Sequence, residues 1–224
     1  SYTEAWDGEK NFGELGYPIR YIADFRNLSL RSWQSFYESD ITQIIIRQYL
    51  LWVVGRGLTL NSEPVEKFIL KFDGSFNRDN FTDEVEDLWQ IYSNSKKCSF
   101  SEMQDLHQIA FEALLNAIVG GDVLCIMRYD GSLPNLQLID GLSIYTPTSG
   151  DWSAKAKSAG NTIKNGVEVD AKGKHVAFYV AKKEGGFERI SAFHSKTGRP
   201  LAWMIYGFKY RLDDSCGMPL FAVV

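Results

Sequence analysis

Apolar residues recur along this chain with two periods, and the change from one to the other divides it. From residue 28 to residue 120 the spacing is helical; from residue 122 onward it is that of short strands. Residues 28–37 read as a first helix. Residues 40–54, DITQIIIRQYLLWVV, read as a second, with Asp40 as N-cap and Gln43 three residues on to reach back to it. Gly55 supplies a position free to take positive φ, so the helix can stop there. Gly57 gives another before an extended Leu58-Thr59-Leu60. At about 100° per residue, the polar side chains Thr42, Gln43, Arg47 and Gln48 do not gather on one face. A helix apolar nearly all round is ordinarily buried on most sides. Taken by itself, the stretch reads as a central core helix; the alternative is packing against something outside this chain.

Pro64 after Ser62 opens a helix through Val65, Phe68 and Ile69, broken at Asp73-Gly74. Thr82 reads as the cap of a helix through Val85, Leu88, Trp89 and Tyr92. Its first turn holds Asp83, Glu84 and Glu86, the charge sign that a helix N-terminus prefers. Ser101 with Gln104 starts the most regular helix. Met103, Leu106, Ala110, Ala113, Leu114 and Ala117 fall on one stripe there, and Gly120-Gly121 ends it. Asn27 and Asn80 begin glycosylation sequons, but Ser29 and Thr82 are better read as helix caps.

Beyond Asp122 the apolar runs are short. Residues 123–127 end at the turn pair Asp130-Gly131 and are answered by 136–139. Residues 146–161, rich in small and polar side chains, read as a loop. Val167-Glu168-Val169 alternates, turns at 170–173 and returns over 176–181. Gly185-Gly186 leads into 187–193, and 201–208 is a last apolar strand. The first residues, with Gly8, Gly13, Gly16 and Pro18, read as an extended arm with a short strand over 17–25. The pattern predicts an α+β fold, with a helical N-terminal half packed on an antiparallel β-sheet built from consecutive hairpins.

Composition narrows the classes. At 224 residues the chain suits one large domain or two small ones. A net charge of −4 argues against a protein that coats DNA by neutralising phosphates. Three widely separated cysteines, Cys98, Cys125 and Cys216, exclude a disulfide framework or a zinc spacing, and read as reduced thiols inside a cell. No membrane partner is expected: the longest apolar run, 44–54, is too short to span a bilayer and contains Arg47. The apolar end, Pro219-Leu220-Phe221-Ala222-Val223-Val224, reads as a chain cut from a longer one.

The search for chemistry returns no catalytic, cofactor or metal residues. His107, His175 and His194 share no ligand spacing, and His107 reads as a core-edge histidine. Gly55-Arg56-Gly57 follows a helix, whereas a phosphate loop follows a strand and opens a helix. Cys125 is expected to be inert in its strand, and Cys216 to be the more exposed thiol. Asp213-Asp214, close to Arg211, stand in a loop. They are candidates for an interface pairing or a cation, against the plainer reading of a solvated turn. Arg211, Asp213 and Asp214 are therefore the candidate interaction residues.

Four stretches, in order, resemble the portal proteins of tailed bacteriophages, the lambda-like group in particular. They are Leu50-Leu51-Trp52-Val53-Val54-Gly55-Arg56-Gly57-Leu58; Gly121-Asp122-Val123-Leu124 with Leu136-Gln137-Leu138-Ile139-Asp140 and Thr146-Pro147; residues 163–180; and Arg211-Leu212-Asp213-Asp214-Ser215-Cys216-Gly217-Met218-Pro219. One departure stands out: the family commonly has Arg before the glycine where this chain has Cys216.

The resemblance implies a structural subunit, not an enzyme. It would form a ring with copies of itself, commonly of twelve, at one capsid vertex of the virion, after assembly in the host cytoplasm. Capsid, terminase and neck or tail proteins would be its partners. Double-stranded DNA would pass through the ring without sequence-specific binding. The implied division is an arm over 1–26, a wing-like domain with a helical part over 27–120 and a β part over 121–210, and a connection over 211–224 toward a stem helix. Two other classes are weighed beside it. One is a metal-dependent hydrolase using Asp213-Asp214; the other is a β-rich ligand-binding module using Trp152 and Trp203.

Overall fold

The computed structural model describes residues 23–69, 77–131, 133–148, 150–211 and 214–221. The helices are α1 (Phe25–Glu38), α2 (Asp40–Val53), α3 (Glu66–Ile69), α4 (Arg78–Asn94), α5 (Leu106–Gly120) and α6 (Trp152–Ser158). The strands are β1 (Asp122–Asp130), β2 (Leu133–Asp140), β3 (Thr162–Lys164), β4 (Val167–Val169), β5 (His175–Ala181), β6 (Phe187–Ser191) and β7 (Ala202–Tyr206). The fold is α+β, with helices first and antiparallel hairpins after them.

The hairpins are shared between two sheets. One has the order β2-β1-β7 and the other β3-β4-β5-β6. β7 leaves the local meander and pairs with β1, placing Ala202 opposite Ile126 and Tyr206 opposite Asp122. Alternation along β1 then sends successive side chains to opposite faces. Leu124 and Ile126 join Phe178, Val180, Val167 and Met204 in a core between the sheets. Val123 packs on the other face with Ala113 and Ala117 of α5, whose small side chains let the helix lie close. Strand β1 is thus buried on both faces, which accounts for its unbroken apolar run.

The helix caps fall elsewhere than the sequence suggests. α2 begins one residue after α1, and the cap is Ser39, whose hydroxyl accepts the Thr42 N–H at 3.3 Å; Asp40 is the first helical residue. Ser29 lies inside α1, buried, and Asp24 caps that helix. Thr82 lies inside α4, which Asn77 caps. α5 starts at Leu106, later than Ser101 predicts. Asp105 forms a capping box with Gln108, which leaves Met103 outside the helix and exposed. In each case a side chain able to accept from the third residue on is present upstream or downstream of the expected cap, and tertiary packing chooses between them. Asp73-Gly74 and most of the expected strand over 17–25 lie outside the described residues; Phe25 is helical.

The stop after α2 is as read, with Gly55 at φ 54° and Gly57 at φ 100°. The chain that follows is extended but joins no named strand before α3. Residues 146–161, read as loop, contain α6, which rests Trp152 edge-on against Tyr179 with ring centroids 5.5 Å apart.

Candidate interaction surface

α2 has two apolar stripes and only one of them is covered. Thr42, Ile46 and Leu50, at i, i+4 and i+8, are buried against α1 and α5. On the outward side Ile41, Ile44, Ile45, Leu51 and Trp52 follow the spacing i, i+3, i+4, i+10 and i+11, which is that of a packed helix face. They are open instead: Ile41 is 72% exposed, Ile44 65%, Leu51 59% and Trp52 76%. The central-core reading of this helix is therefore overturned. Five large apolar residues open to water along one helix face are more than the scattered single apolar residues that are ordinary on a surface. Gln48 is the polar interruption of the stripe, and Arg47 and Asp40 stand at its edge.

At the other end of α5, the last described residues fold back on the start of β1. The Gly217 N–H donates to Asp122 Oδ2 at 3.0 Å. Phe208 and Met218 exchange backbone hydrogen bonds, and Leu220 N–H donates to the Ile118 carbonyl at 2.8 Å. The contact is close because both partners are glycines: a Cβ on Gly217 would overlap the Gly121 carbonyl oxygen. Asp122 is 7% exposed, and burial pushes its carboxyl up to about 6, opposed by the Gly217 N–H. Cys216 stands beside it. It is the most exposed of the three cysteines, as expected, yet burial and then the Asp122 charge drive its thiol up to about 12. Cys125 is inert for the same reason, raised to about 11 by burial alone.

A second buried acid sits in the β3-β4-β5-β6 sheet. Glu168, 2% exposed, accepts from Arg189 Nε at 2.8 Å and Nη2 at 3.1 Å, from Asn161 at 2.7 Å and from the Tyr179 hydroxyl at 2.9 Å. Burial alone would raise its carboxyl; the three donors together outweigh that and hold it below its usual range. All lone pairs are spent on the protein, so the group is structural.

The predicted interaction residues are only partly placed. The Asp214 N–H donates to the Arg211 carbonyl at 3.3 Å, closing a turn, and Asp213 lies outside the described residues. Among the described residues no group of three or more His, Cys, Asp or Glu could hold a metal. His107 lies half-buried against Gly57, at the core edge as read. Asp122 and Glu168 escaped the sequence search. Glu168 did carry a signal, an acid between two valines in a strand, but its partners come from three other places in the chain.

The fold and surface define an α+β domain in which α2 presents an apolar stripe to water. A model of one protein family, described as phage portal protein, lambda family, matches residues 20–224, and the chain belongs to that family. No curated protein matches the chain. The family is a structural one, and the match supports the role of a structural protein of a bacteriophage portal. Among the described residues no helix is long and apolar enough to cross a membrane.

Proposed function

We propose that the chain is the wing region of a portal subunit. Copies of the subunit form a ring, of twelve in the commonest arrangement, at one capsid vertex of the virion. Capsid, terminase and neck or tail proteins dock on the ring, and double-stranded DNA passes through it during packaging and ejection. The observation that carries the reading is the family match over residues 20–224. The open stripe of α2 agrees with it, because a helix with two apolar faces needs two neighbours, and the described residues supply only one.

Ring closure joins one face of a subunit to a different face of the next. We place the α2 stripe on one side of that joint. A conduit must let phosphate slide, and a chain carrying net charge −4 does not grip it.

Electron microscopy of the full-length protein tests the reading. Closed rings with a central channel are expected. A protein that stays monomeric, or forms open filaments, under capsid-assembly conditions contradicts it.

A further inference from the structure

At the end away from Asp122 lies an open cleft of about 610 Å³, lined by residues from both sheets. Its walls are apolar and aromatic: Met127 and Tyr129 of β1, Trp203 of β7, Phe178 of β5, and Phe193 beyond β6. The rim is cationic. Lys174 and Arg199 line it, and both side chains are exposed. Lys174 Nζ stands 4.0 Å from the centre of the Phe193 ring. Lys209 also faces this end. Burial first and then its charge hold the His175 ring below the usual value, so that ring is neutral at pH 7.5. Asp170, four residues before Lys174, already accepts the N–H groups of Lys172 and Lys174 on its Oδ1 at 2.8 Å each.

The rim runs against the charge of the molecule. The chain carries net charge −4, yet the mouth of this cleft gathers lysine and arginine beside an aromatic floor. An aromatic ring is the group such a floor holds best, edge-to-face or stacked, and cations over ring faces add to it. Carboxylates on either side of that ring would meet Lys174 and Arg199. The volume lies within the ~300–1,000 Å³ of binding clefts and admits one large ring with its flanking backbone.

We infer that this cleft is a docking site for an acidic peptide segment of a partner protein, anchored by one aromatic side chain, tryptophan by preference. The site is separate from the α2 stripe and does not depend on how subunits assemble. Trp203 lines it. Trp152, the other tryptophan suggested by the sequence, is turned against Tyr179 and takes no part.

The test uses the whole chain labelled with 13C at its methionine methyls. The probe is an acetylated, amidated pentapeptide, Glu-Glu-Trp-Asp-Glu. Of the four methionines, Met127 alone lines the cleft. Its methyl resonance is expected to move on titration, by ring current, while those of Met103 and Met218 stay. Affinity should fall at least fivefold in Arg199→Glu, an exposed position that leaves the fold intact. It should fall at least as far when alanine replaces the peptide's tryptophan.

A Met127 methyl that does not move overturns the inference. So does binding indifferent to Arg199→Glu, or equal binding of a peptide with lysines for its acids. If Met127 moves in the peptide-free protein on Trp6→Ala, or with protein concentration, the occupant is this chain or a second copy, and the partner is excluded.

Discussion

The Asp122 carboxylate accepts the Gly217 N–H at 3.0 Å, across 95 residues of chain. One hydrogen bond thereby ties the residues after β7 to the first turn of the central strand, where α5 ends.

That bond has a pH signature. Asp122 binds its proton more tightly in the folded protein, at about 6, than in the unfolded chain, near 3.8. Its contribution to stability is fully present below 3.8 and is lost as the pH rises through about 6, at a cost of about 3 kcal/mol. Asp122→Asn keeps an acceptor for Gly217 and removes the buried charge. Urea denaturation should show the variant more stable than the parent by about 1–3 kcal/mol at pH 7.5 and no more stable at pH 3.5. A variant less stable than the parent at pH 7.5 would show that the ionised form is the one the fold needs.

Glu168 is the opposite case. Its carboxyl is held low, so its contribution is present above the ordinary carboxylate range and lost as the pH falls through the lowered folded value. Glu168→Ala leaves Arg189 and the Tyr179 hydroxyl without their acceptor. It should cost about 2–4 kcal/mol in chemical denaturation at neutral pH. Glu188→Ala, an exposed neighbour on β6, should change stability by less than about 0.5 kcal/mol.

The caps separate what the sequence suggests from what the structure shows. If Ser29 capped a helix, Ser29→Ala would cost about 1 kcal/mol. The Ser29 hydroxyl is instead buried, with no hydrogen-bond partner among the described residues. Ser29→Ala should therefore be neutral or stabilising, while Asp24→Ala, which removes the acceptor for the Asn27 N–H, should lose about 1 kcal/mol of thermal stability.

Features that depend on near neighbours were legible before the structure. The stripe of α5, the turn at Asp130-Gly131 and the glycine stop at Gly55 all rest on local periodicity or on a φ that few residues adopt. The family resemblance was legible for the same reason, from ordered short stretches. Features that depend on distant partners were not. The division into two sheets turns on β7 pairing with β1, from the far end of the chain. Asp122 looks like an ordinary polar residue ahead of a strand until Gly217 is laid against it. α2 shows most clearly where the sequence runs out. Its wheel revealed apolar positions on every side, but the covered side is decided by where α1 and α5 lie.

The uncovered side carries the central claim, that this chain assembles through α2 as a portal subunit. The direct measurement is sedimentation velocity on the full-length protein, comparing the parent with the double variant Ile44→Glu and Trp52→Glu. Both side chains already stand in water, so the variant should fold and melt as the parent does. The account predicts a ring-sized species for the parent and a subunit-sized one for the variant. A variant that still sediments as a ring would place the joint elsewhere and contradict the account.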